Sequence, residues 1–471
     1  MMLGDEKKFD TDGLFHYFNL EELIPPDHLL RRIDAVLDTS WVREEVAGHY
    51  SDRGRPSWDP EVILRMILLG YLYDLSEVRL VDEVRMHMGY RWFCRLQPSD
   101  KVPDRTTLVK IRNEKWKSEI WFELLRRTIE QCAEAGLISG KHVSIDGTKI
   151  KANASWGSLQ PIEPPASLQE YLLEKAGWER FIPDEEEEVE EPPDDDDDPT
   201  PRGGVDFKGK SLKNDQYRSK TDPDSRIYRK NDGEGAGLAY LGNLCIDTKS
   251  RVVLAAEASS GRTSGEWEAG AKMLDDVRLV LGRYPKIVTA DKGYGVERFY
   301  AEVEKRGIEP HIPAQHCDTI KPEPRSRILG MKTVPMQRGK VLVQRHRGNR
   351  GRNRALQLRK TRGFQISRHL RLRVEHKIGE AKECHGLRRA RHRGLGKVDA
   401  QVKITAAVMN LKALASAPRK KAANVLALAG RSFESVFCSV RCAITKAAST
   451  VLGLLQAQSR AVSSPVCSQG F

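Results

Sequence analysis

Three acidic residues that lie far apart in the chain have neighbours suited to a chemical site: Asp146, Asp291 and Glu375. Asp146 lies near the end of the short strand predicted in "KHVSIDGTKI", and Gly147 follows it. Asp291 follows the apolar run of "KIVTADKGY", with Gly293 close behind. A carboxylate at a strand end beside glycine projects where a ligand can approach the backbone. Aspartate also ends strands for purely structural reasons, so each one alone is weak support for a function.

The third acid, Glu375, lies in "RLRVEHKIGEAK", residues 371–382, which the apolar spacing predicts to be one helix. The apolar stripe of this helix consists of Leu370, Val374, Ile378 and Ala381. Glu375 falls at the edge of that stripe, on the same face as Arg371 and Lys382. The simpler interpretation is an ion pair between Arg371 and Glu375, which would contribute only a few tenths of a kcal/mol.

Taken together, two strand-end aspartates and a helix-borne glutamate indicate a metal site. Crowded carboxylates repel one another unless cations neutralise them. Mg²⁺ prefers hard oxygen ligands and keeps part of its water, so a few carboxylates suffice to bind it. Two such ions, about 4 Å apart, can activate a nucleophile and stabilise the leaving oxygen in phosphoryl transfer. Arg371 and Lys382 would then contact DNA phosphates.

Two kinds of element must position these residues. The first 135 residues read as helical, with Asp59 as N-cap, Pro60 at the first position of one helix and Ser76 as N-cap of the next. Such a pair of helices forms either a DNA-reading helix-turn-helix or a plain bundle, and the sequence leaves both open. From residue 141 the pattern is strand, strand, strand, helix, strand, helix, strand, which predicts an α/β layout with a mixed sheet.

Composition narrows the class of partner. The 471 residues include 78 Lys and Arg against 66 Asp and Glu, a net charge of +12, and much of the acid lies in one run near 184–198. The rest is strongly basic, as is typical of proteins that bind nucleic acid. The eight cysteines show no C-x-x-C pair, which argues against structural zinc and disulfides. We find no signal peptide and no spanning segment, and expect a cytoplasmic, nucleoid-associated bacterial protein without a membrane partner.

The composition also predicts the domain boundaries. Residues 1–135 are predicted to form an N-terminal helical domain that binds DNA ends, and residues 136–416 a catalytic domain. A disordered acidic insertion, 157–216, and a basic insertion, 316–366, interrupt the catalytic domain. The Ala- and Ser-rich tail, 417–471, has no role that we can argue.

The motifs resemble those of bacterial insertion-sequence transposases of the DDE class, in the insertion-sequence-five-like group. The similar stretches are "SIDGTKIKA", "TADKGYG", "PDRTTLVKIR", "SKTDPDSR" and a helix with the spacing Tyr-x2-Arg-x3-Glu-x6-Lys. Here the helix gives Arg368-x2-Arg371-x3-Glu375-x6-Lys382, so arginine replaces the tyrosine. The resemblance covers about residues 10–415, and the combination of motifs, rather than any one of them, is specific.

The resemblance implies an RNase-H-like α/β core with an N-terminal all-α domain, and Asp146, Asp291 and Glu375 as catalytic metal ligands. It implies two Mg²⁺ ions, with Mn²⁺ able to substitute. The enzyme would bind the terminal inverted repeats of its element, cut the ends to free 3′-OH groups and join them to target DNA, as a homodimer. The DNA contacts are expected from Arg371, Lys382, Arg368, Lys292, Arg388 and Arg389.

Other interpretations remain open. The chain could be an RNase-H-fold nuclease without strand transfer, or a DNA-binding regulator whose catalytic centre has decayed. His311, His316 and Cys317 are interpreted as loop residues or phosphate contacts rather than a zinc site. Glu266 and Glu268, which flank Trp267, could supply a secondary ligand, although surface acids beside a core tryptophan are the simpler interpretation. Lys292 and Tyr294 would contact DNA or support Asp291.

Overall fold

The computed structural model describes ten stretches of the chain. They are residues 19–50, 57–116, 118–162, 214, 217–229, 236–261, 263–314, 331–333, 343–345 and 350–417. Most of the predicted acidic insertion, 157–216, and all but the first residue of the tail, 417–471, lie outside these residues. His316 and Cys317 lie outside them too.

The described N-terminal residues fold into helices. These are Leu20–Leu23 (α1), Leu29–Asp34 (α2), Val42–Ala47 (α3), Pro60–Leu72 (α4), Glu77–Met86 (α5), Met88–Phe93 (α6), Arg105–Lys110 (α7), which continues as a π-helical turn over Ile111–Lys115, and Ser118–Glu134 (α8). The predicted start signals are confirmed, because Asp59 accepts a hydrogen bond from the N–H of Glu61 (2.9 Å) and Ser76 one from Arg79 (3.3 Å). Asp74, with φ of 51°, turns the chain between α4 and α5.

A six-stranded mixed sheet follows. Its strands are His142–Lys151 (β1), Arg226–Tyr228 (β4), Gly237–Asp247 (β5), Val253–Ser260 (β6), Ile287–Thr289 (β7) and Glu309–His311 (β8). β5 pairs antiparallel with β1 on one edge and with β4 and β6 on the other, and β7 and β8 continue from β1 in parallel. Four helices flank the sheet: Thr263–Leu281 (α9), Glu297–Lys305 (α10), Arg362–Cys384 (α12) and Leu395–Ala415 (α13). This is the predicted α/β arrangement, with an RNase-H-like core beside an N-terminal helical region.

Short strands lie at the ends of the predicted acidic insertion and within the predicted basic one. Leu159–Pro161 (β2) pairs antiparallel with Tyr217–Ser219 (β3), so the described residues before and after the acidic stretch are neighbours. Met331–Thr333 (β9) pairs with Val343–Arg345 (β10) inside the basic stretch. The last part of that stretch, Arg350–Leu358 (α11), is a helix that packs against α10.

The helix α13 covers the outer edge of β6. The side-chain amide of Asn410 accepts from the N–H of Val253 and donates to its carbonyl, both at 2.8 Å, as a neighbouring strand would. Further along, Asp399 accepts from the N–H of Ala258 (2.9 Å). Eleven helical residues and five strand residues both span about 16 Å, so the two side chains match the two positions on β6. An edge that could pair with another chain is thereby closed.

The stretch "SKTDPDSR" fixes the start of α13. Asp222 accepts hydrogen bonds from the hydroxyl of Tyr240 and from the N–H of Gly394 (3.1 Å), and Asp224 accepts from the N–H of Leu395 (2.9 Å). Acidic groups here satisfy the unpaired N–H groups and the positive end of the helix dipole. The motif is therefore structural in this fold.

Apolar contacts join the N-terminal helices to the sheet. The helix α13 packs against α2, α4 and α8 on one side and against β5 and β6 on the other. Buried residues from both regions, such as Leu69, Leu124, Val253 and Val408, belong to one hydrophobic cluster. The domain boundary at 135/136 stays a prediction, but the described residues on either side of it share a core. None of the described helices is long and apolar enough to cross a membrane.

Asp276 on α9 provides a pH test of this core. Burial raises the pKa of Asp276 to about 6, and the charge of Glu257 adds to the shift. The folded state binds the proton of Asp276 more tightly than the unfolded state does. Its contribution to stability is therefore full below about pH 4 and is lost as the pH rises through 6. Replacing Asp276 by Asn should raise the free energy of unfolding by about 1–2 kcal/mol at pH 8 and leave it unchanged at pH 4, in urea titrations.

The neighbouring Asp275 is the matched control with the opposite sign. Its hydrogen bond with Arg306 (2.7 Å) lowers the pKa of Asp275. Asp275→Asn should therefore lower stability at pH 8. If both substitutions changed the free energy of unfolding at pH 8 by the same amount, the raised pKa of Asp276 would be contradicted.

Candidate active site

The register of the sheet brings two of the predicted acids together. β7 pairs with β1 in parallel, with Ser144 opposite Thr289. Continuing that register by two residues sets Asp146 beside Asp291. Asp146 is not near the end of its strand, as predicted, but in the middle of the ten-residue β1, because β1 extends along β5 well beyond β7. Asp291 follows β7 and precedes a 3₁₀ turn at Lys292–Tyr294.

The third acid is carried by α12, which is fixed to the sheet. Val374, Ile378 and Ala381 are buried, which confirms most of the predicted stripe. One turn from the start of the helix, the hydroxyl of Ser367 lies 2.6 Å from Nδ1 of His311. The other nitrogen of His311 is 2.6 Å from a carboxylate oxygen of Glu309.

His311 is therefore not a loop residue or a phosphate contact, as predicted. It ends β8, is 3% exposed, and joins this strand to α12. The bond to Ser367 holds the register of α12, and with it the position of Glu375 two turns further on.

The three carboxylates surround one guanidinium group. Nη2 of Arg371 is 2.6 Å from Oε1 of Glu375, and Nη1 lies 4.0 Å from Oδ2 of Asp146 and 3.9 Å from Oδ1 of Asp291. The ion pair that the helix spacing alone suggested is thus present, but it is part of a larger cluster. Arg371 contributes one positive charge to three acids.

The donor set has the chemistry that a divalent metal needs. Three carboxylates are hard oxygen ligands suited to Mg²⁺, and one guanidinium leaves an excess of negative charge among them. As placed, no three His, Cys, Asp or Glu side chains among the described residues are close enough to hold a single ion. The three carboxylates therefore suit a divalent metal by ligand type and charge. In this structure the guanidinium of Arg371 lies between them.

A buried tyrosine lies beneath this cluster. The hydroxyl of Tyr294 donates to Oδ1 of Asn243 (3.2 Å), which also lies close to Gly147. Burial raises the pKa of Tyr294 well above its usual value, and the charges of Glu266, Asp146 and Asp291 raise it further. Tyr294 is thus a neutral support beneath the carboxylates, whereas Lys292 is exposed beside them.

Arg368, Arg371 and Lys382 lie on one face of α12, Arg388 and Arg389 lie in the turn after it, and Lys292 lies in the 3₁₀ turn after β7. Arg368 is exposed and Lys382 is half-buried. Arg388 is exposed and pairs with Glu383, and Arg389 donates to Asn153 (3.2 Å). The backbone of this turn pairs with the end of β1, since the N–H of Lys151 donates to the carbonyl of Arg388 (3.0 Å).

The structure also brings in an acid that the sequence interpretation set aside. Glu266, in the first turn of α9, is half-buried and directed at the glycines beside Asp146 and Asp291, whereas Glu268 is exposed. Trp267 packs against the core, as predicted. The rotation of α9 about its axis leaves Glu266 half-buried and Glu268 exposed. This rotation is set by packing against the sheet, which the local sequence does not encode.

A separate cavity lies between α4, α5, α7 and the loop before α13. Its volume is about 850 Å³, and none of the three acids lines it. Its cationic lining residues are Arg105, Arg112, Arg391, Arg393 and Lys397. Burial lowers the pKa of His392 in this wall to about 3, and the charges of Arg112, Arg391 and Lys397 contribute. Asp74, Glu77 and Asp224 also line the cavity, and Asp74 and Glu77 pair with Arg391 and Arg112. The wall therefore carries only a small excess of positive charge.

Comparison with known families places these features in context. Residues 18–114 match a family model described as a transposase domain (DUF772), and residues 215–411 match one described as a transposase DDE domain. The second match contains Asp291 and Glu375, and Asp146 lies before it. No solved structure is a significant match. The two matches, which together cover more than half of the chain, agree with the fold and the acidic cluster: the chain belongs to the DDE transposases of insertion sequences.

Proposed function

We propose that this transposase binds the terminal inverted repeats of its own element, hydrolyses the phosphodiester bonds at the ends and transfers the 3′-OH ends to target DNA. The observation that carries the proposal is the approach of Asp146, Asp291 and Glu375 to one guanidinium, each within 4.0 Å. An ion pair within α12 explains the contact of Arg371 with Glu375. It does not explain why Asp146 on β1 and Asp291 after β7 approach the same guanidinium.

The family implies dependence on a divalent metal, typically Mg²⁺. We infer that Asp146, Asp291 and Glu375 hold two such ions, and that Mn²⁺ can substitute. When bound, these ions would activate the attacking group and neutralise the charge that develops on the phosphate. The carboxylates would orient the reacting groups, with the neutral Tyr294 buried beside them, and such positioning can supply much of the rate enhancement.

We assign the DNA backbone to the basic residues around the cluster: Arg371, Lys382, Arg368, Lys292, Arg388 and Arg389. Side chains of this type hold phosphates in register without reading sequence. The N-terminal helices are the proposed reader of the element ends, and the small excess of positive charge that lines the cavity beside α5 and α7 agrees with this role. The motifs favour the insertion-sequence-five-like group and a homodimer that holds both ends.

The test is a cleavage and joining assay with the full-length protein. The DNA carries the inverted repeat that flanks the coding region, a labelled end and a supercoiled target, and Mg²⁺ is added. We expect nicking at the element end followed by joined products, both dependent on the repeat sequence.

Two outcomes would replace the proposal. Cleavage without joined products, under conditions where pre-cut ends also fail to join, would favour a nuclease. Tight, specific DNA binding without any cleavage would favour a regulator with an inactive centre.

A further inference from the structure

The segment that follows α12 is bonded on one side to the strand β1. We call residues 385–394, between the end of α12 and the start of α13, the connecting segment. The N–H of Lys151 at the end of β1 donates to the carbonyl of Arg388 (3.0 Å), and the N–H of Ala390 donates to the carbonyl of Lys151 (2.8 Å). β1 and α12 each carry one acid of the cluster, so both of these elements end at the connecting segment.

The other side of the connecting segment binds the turn between α4 and α5. Nη1 of Arg391 donates to the carbonyl of Leu75 (2.7 Å). Nη2 donates to the carbonyl of Gly70 (3.1 Å) and to Oδ1 of Asp74 (2.8 Å). The guanidinium also lies over the ring of Tyr71, 4.4 Å from its centroid. One side chain therefore binds the backbone and the side chains of the whole turn.

Two residues in the left-handed region of backbone conformation meet at this contact. Asp74 has a φ of 51° and Gly386 a φ of 70°, and a Cβ atom added to Gly386 would overlap the carboxylate of Asp74. Beside them Nδ1 of His385, which is fully buried, lies 2.9 Å from the carbonyl oxygen of Tyr71. A strained residue such as Asp74 persists only where its surroundings hold it, so the position of this turn is closely defined.

Regular structure links this contact to the acids. Glu375 precedes His385 by ten residues of helix, which span about 15 Å. Asp146 precedes Lys151 by five residues of strand, which span about 17 Å. The buried side chain of Gln401 on α13 binds three backbone groups of the connecting segment. The N-terminal helices are thereby fixed to the two elements that carry the acids.

A DNA-phosphate contact by Arg391 makes a different prediction from a contact that holds the two regions together. The side chain of Arg391 is 17% exposed, and both of its terminal nitrogens donate to the protein. A phosphate contact needs positive charge, which lysine keeps. Binding three oxygens of one turn needs the planar fork of a guanidinium, which lysine lacks.

We propose that Arg391 is a positioning residue that holds the N-terminal helices at a set distance from the acidic cluster, and so determines which phosphodiester bond is cut. The inference rests on the proposed function, in which these helices read the element end and the acids cut it. Successive nucleotides of one strand are about 3.4 Å apart, so a shift of that size would present a neighbouring bond. A smaller shift would misalign the correct bond, and about 1 Å of misplacement can lower a rate about a hundredfold.

The experiment maps the cut position at single-nucleotide resolution. End-labelled DNA that carries the element end is incubated with full-length protein and Mg²⁺. Arg391→Lys should cut the wild-type bond about a hundredfold more slowly and spread its remaining cuts over neighbouring bonds. It should bind the same DNA as tightly as the wild type, since lysine keeps the charge.

A buried arginine within the N-terminal helices gives the matched control. Arg65 is 2% exposed and binds Glu61, Asp34 and the carbonyl of Phe93, all in the same helical region. Arg65→Lys should lower the temperature of thermal unfolding, as Arg391→Lys does. It should leave the position of the cut unchanged, because its contacts do not reach the connecting segment.

The outcomes separate this inference from the proposed function. Cutting of the wild-type bond at the wild-type rate by Arg391→Lys would overturn the positioning role and leave the proposed function standing. Displaced cuts in both variants would assign the effect to lost stability, and weaker DNA binding with an unchanged cut position would make Arg391 a DNA contact. Either result overturns the inference. A wild type that cuts no DNA would overturn the proposed function, and the inference with it.

Discussion

Replacing Glu375 by glutamine is expected to lower the rate of DNA cleavage by at least about a thousandfold and to leave the fold intact. A bound metal ion contributes several kcal/mol to transition-state stabilisation, and about 4 kcal/mol corresponds to a thousandfold in rate. Glutamine keeps the shape of the side chain but removes the negative charge. The side chain of Glu375 is 41% exposed, and its ion pair with Arg371 contributes little to stability.

The rate is measured in single turnover on DNA that carries the element end, with the protein in excess. Glu383→Gln is the matched control on the same helix, because Glu383 is 63% exposed and is not one of the three acids, and its partner Arg388 keeps its charge for DNA in the variant. It should leave cleavage unchanged. Cleavage by Glu375→Gln at a rate close to that of the wild type would remove Glu375 from the site, whatever the result for the aspartates.

The second large effect concerns stability. Asn410→Leu should lower the free energy of unfolding by about 2–5 kcal/mol, because it leaves both backbone groups of Val253 without their partner. Each buried group left unsatisfied costs about 1–3 kcal/mol. Asn410 is 1% exposed, so water cannot replace the lost bonds at little cost. Urea denaturation followed by circular dichroism measures the change.

A second buried polar residue on the same helix gives the control. The hydroxyl of Thr405 has no hydrogen-bond partner among the described residues, and Thr405 is fully buried. Thr405→Val should be neutral or stabilising, since removing an unsatisfied polar group relieves a cost. If the two substitutions destabilised the protein equally, general packing of α13, and not the bonds to β6, would be the cause.

Local signals in the sequence predicted the elements well. The cap at Asp59, the apolar stripe of α12 and the succession of strands and helices after residue 141 all follow from periodicity and from residues that act over a few positions. The mixed character of the sheet then follows. Strands joined by a short turn pair antiparallel, and strands joined through a helix lie parallel.

The contacts of the site depend on distant pairings and were not predictable in the same way. Arg371 reaches both aspartates only because β7 pairs with β1 in one register and His311 fixes α12. Glu266 looked like a surface acid because the rotation of α9 against the sheet is set by packing. Asn410, a polar residue in the apolar run "VMNL", carried a usable signal, since a buried amide needs partners.

The cover on β6 has a consequence for synthesis of the protein on the ribosome. The strand is complete at Ser260, but α13 ends at Ala415. At about 5–20 residues per second, the ribosome needs roughly 8–30 seconds to make the residues between them. Throughout that interval β6 presents an open hydrogen-bonding edge, and α2, α4 and α8 lack the helix on which they pack. Until its last core helix emerges, the nascent transposase therefore exposes a strand edge that can pair with another chain.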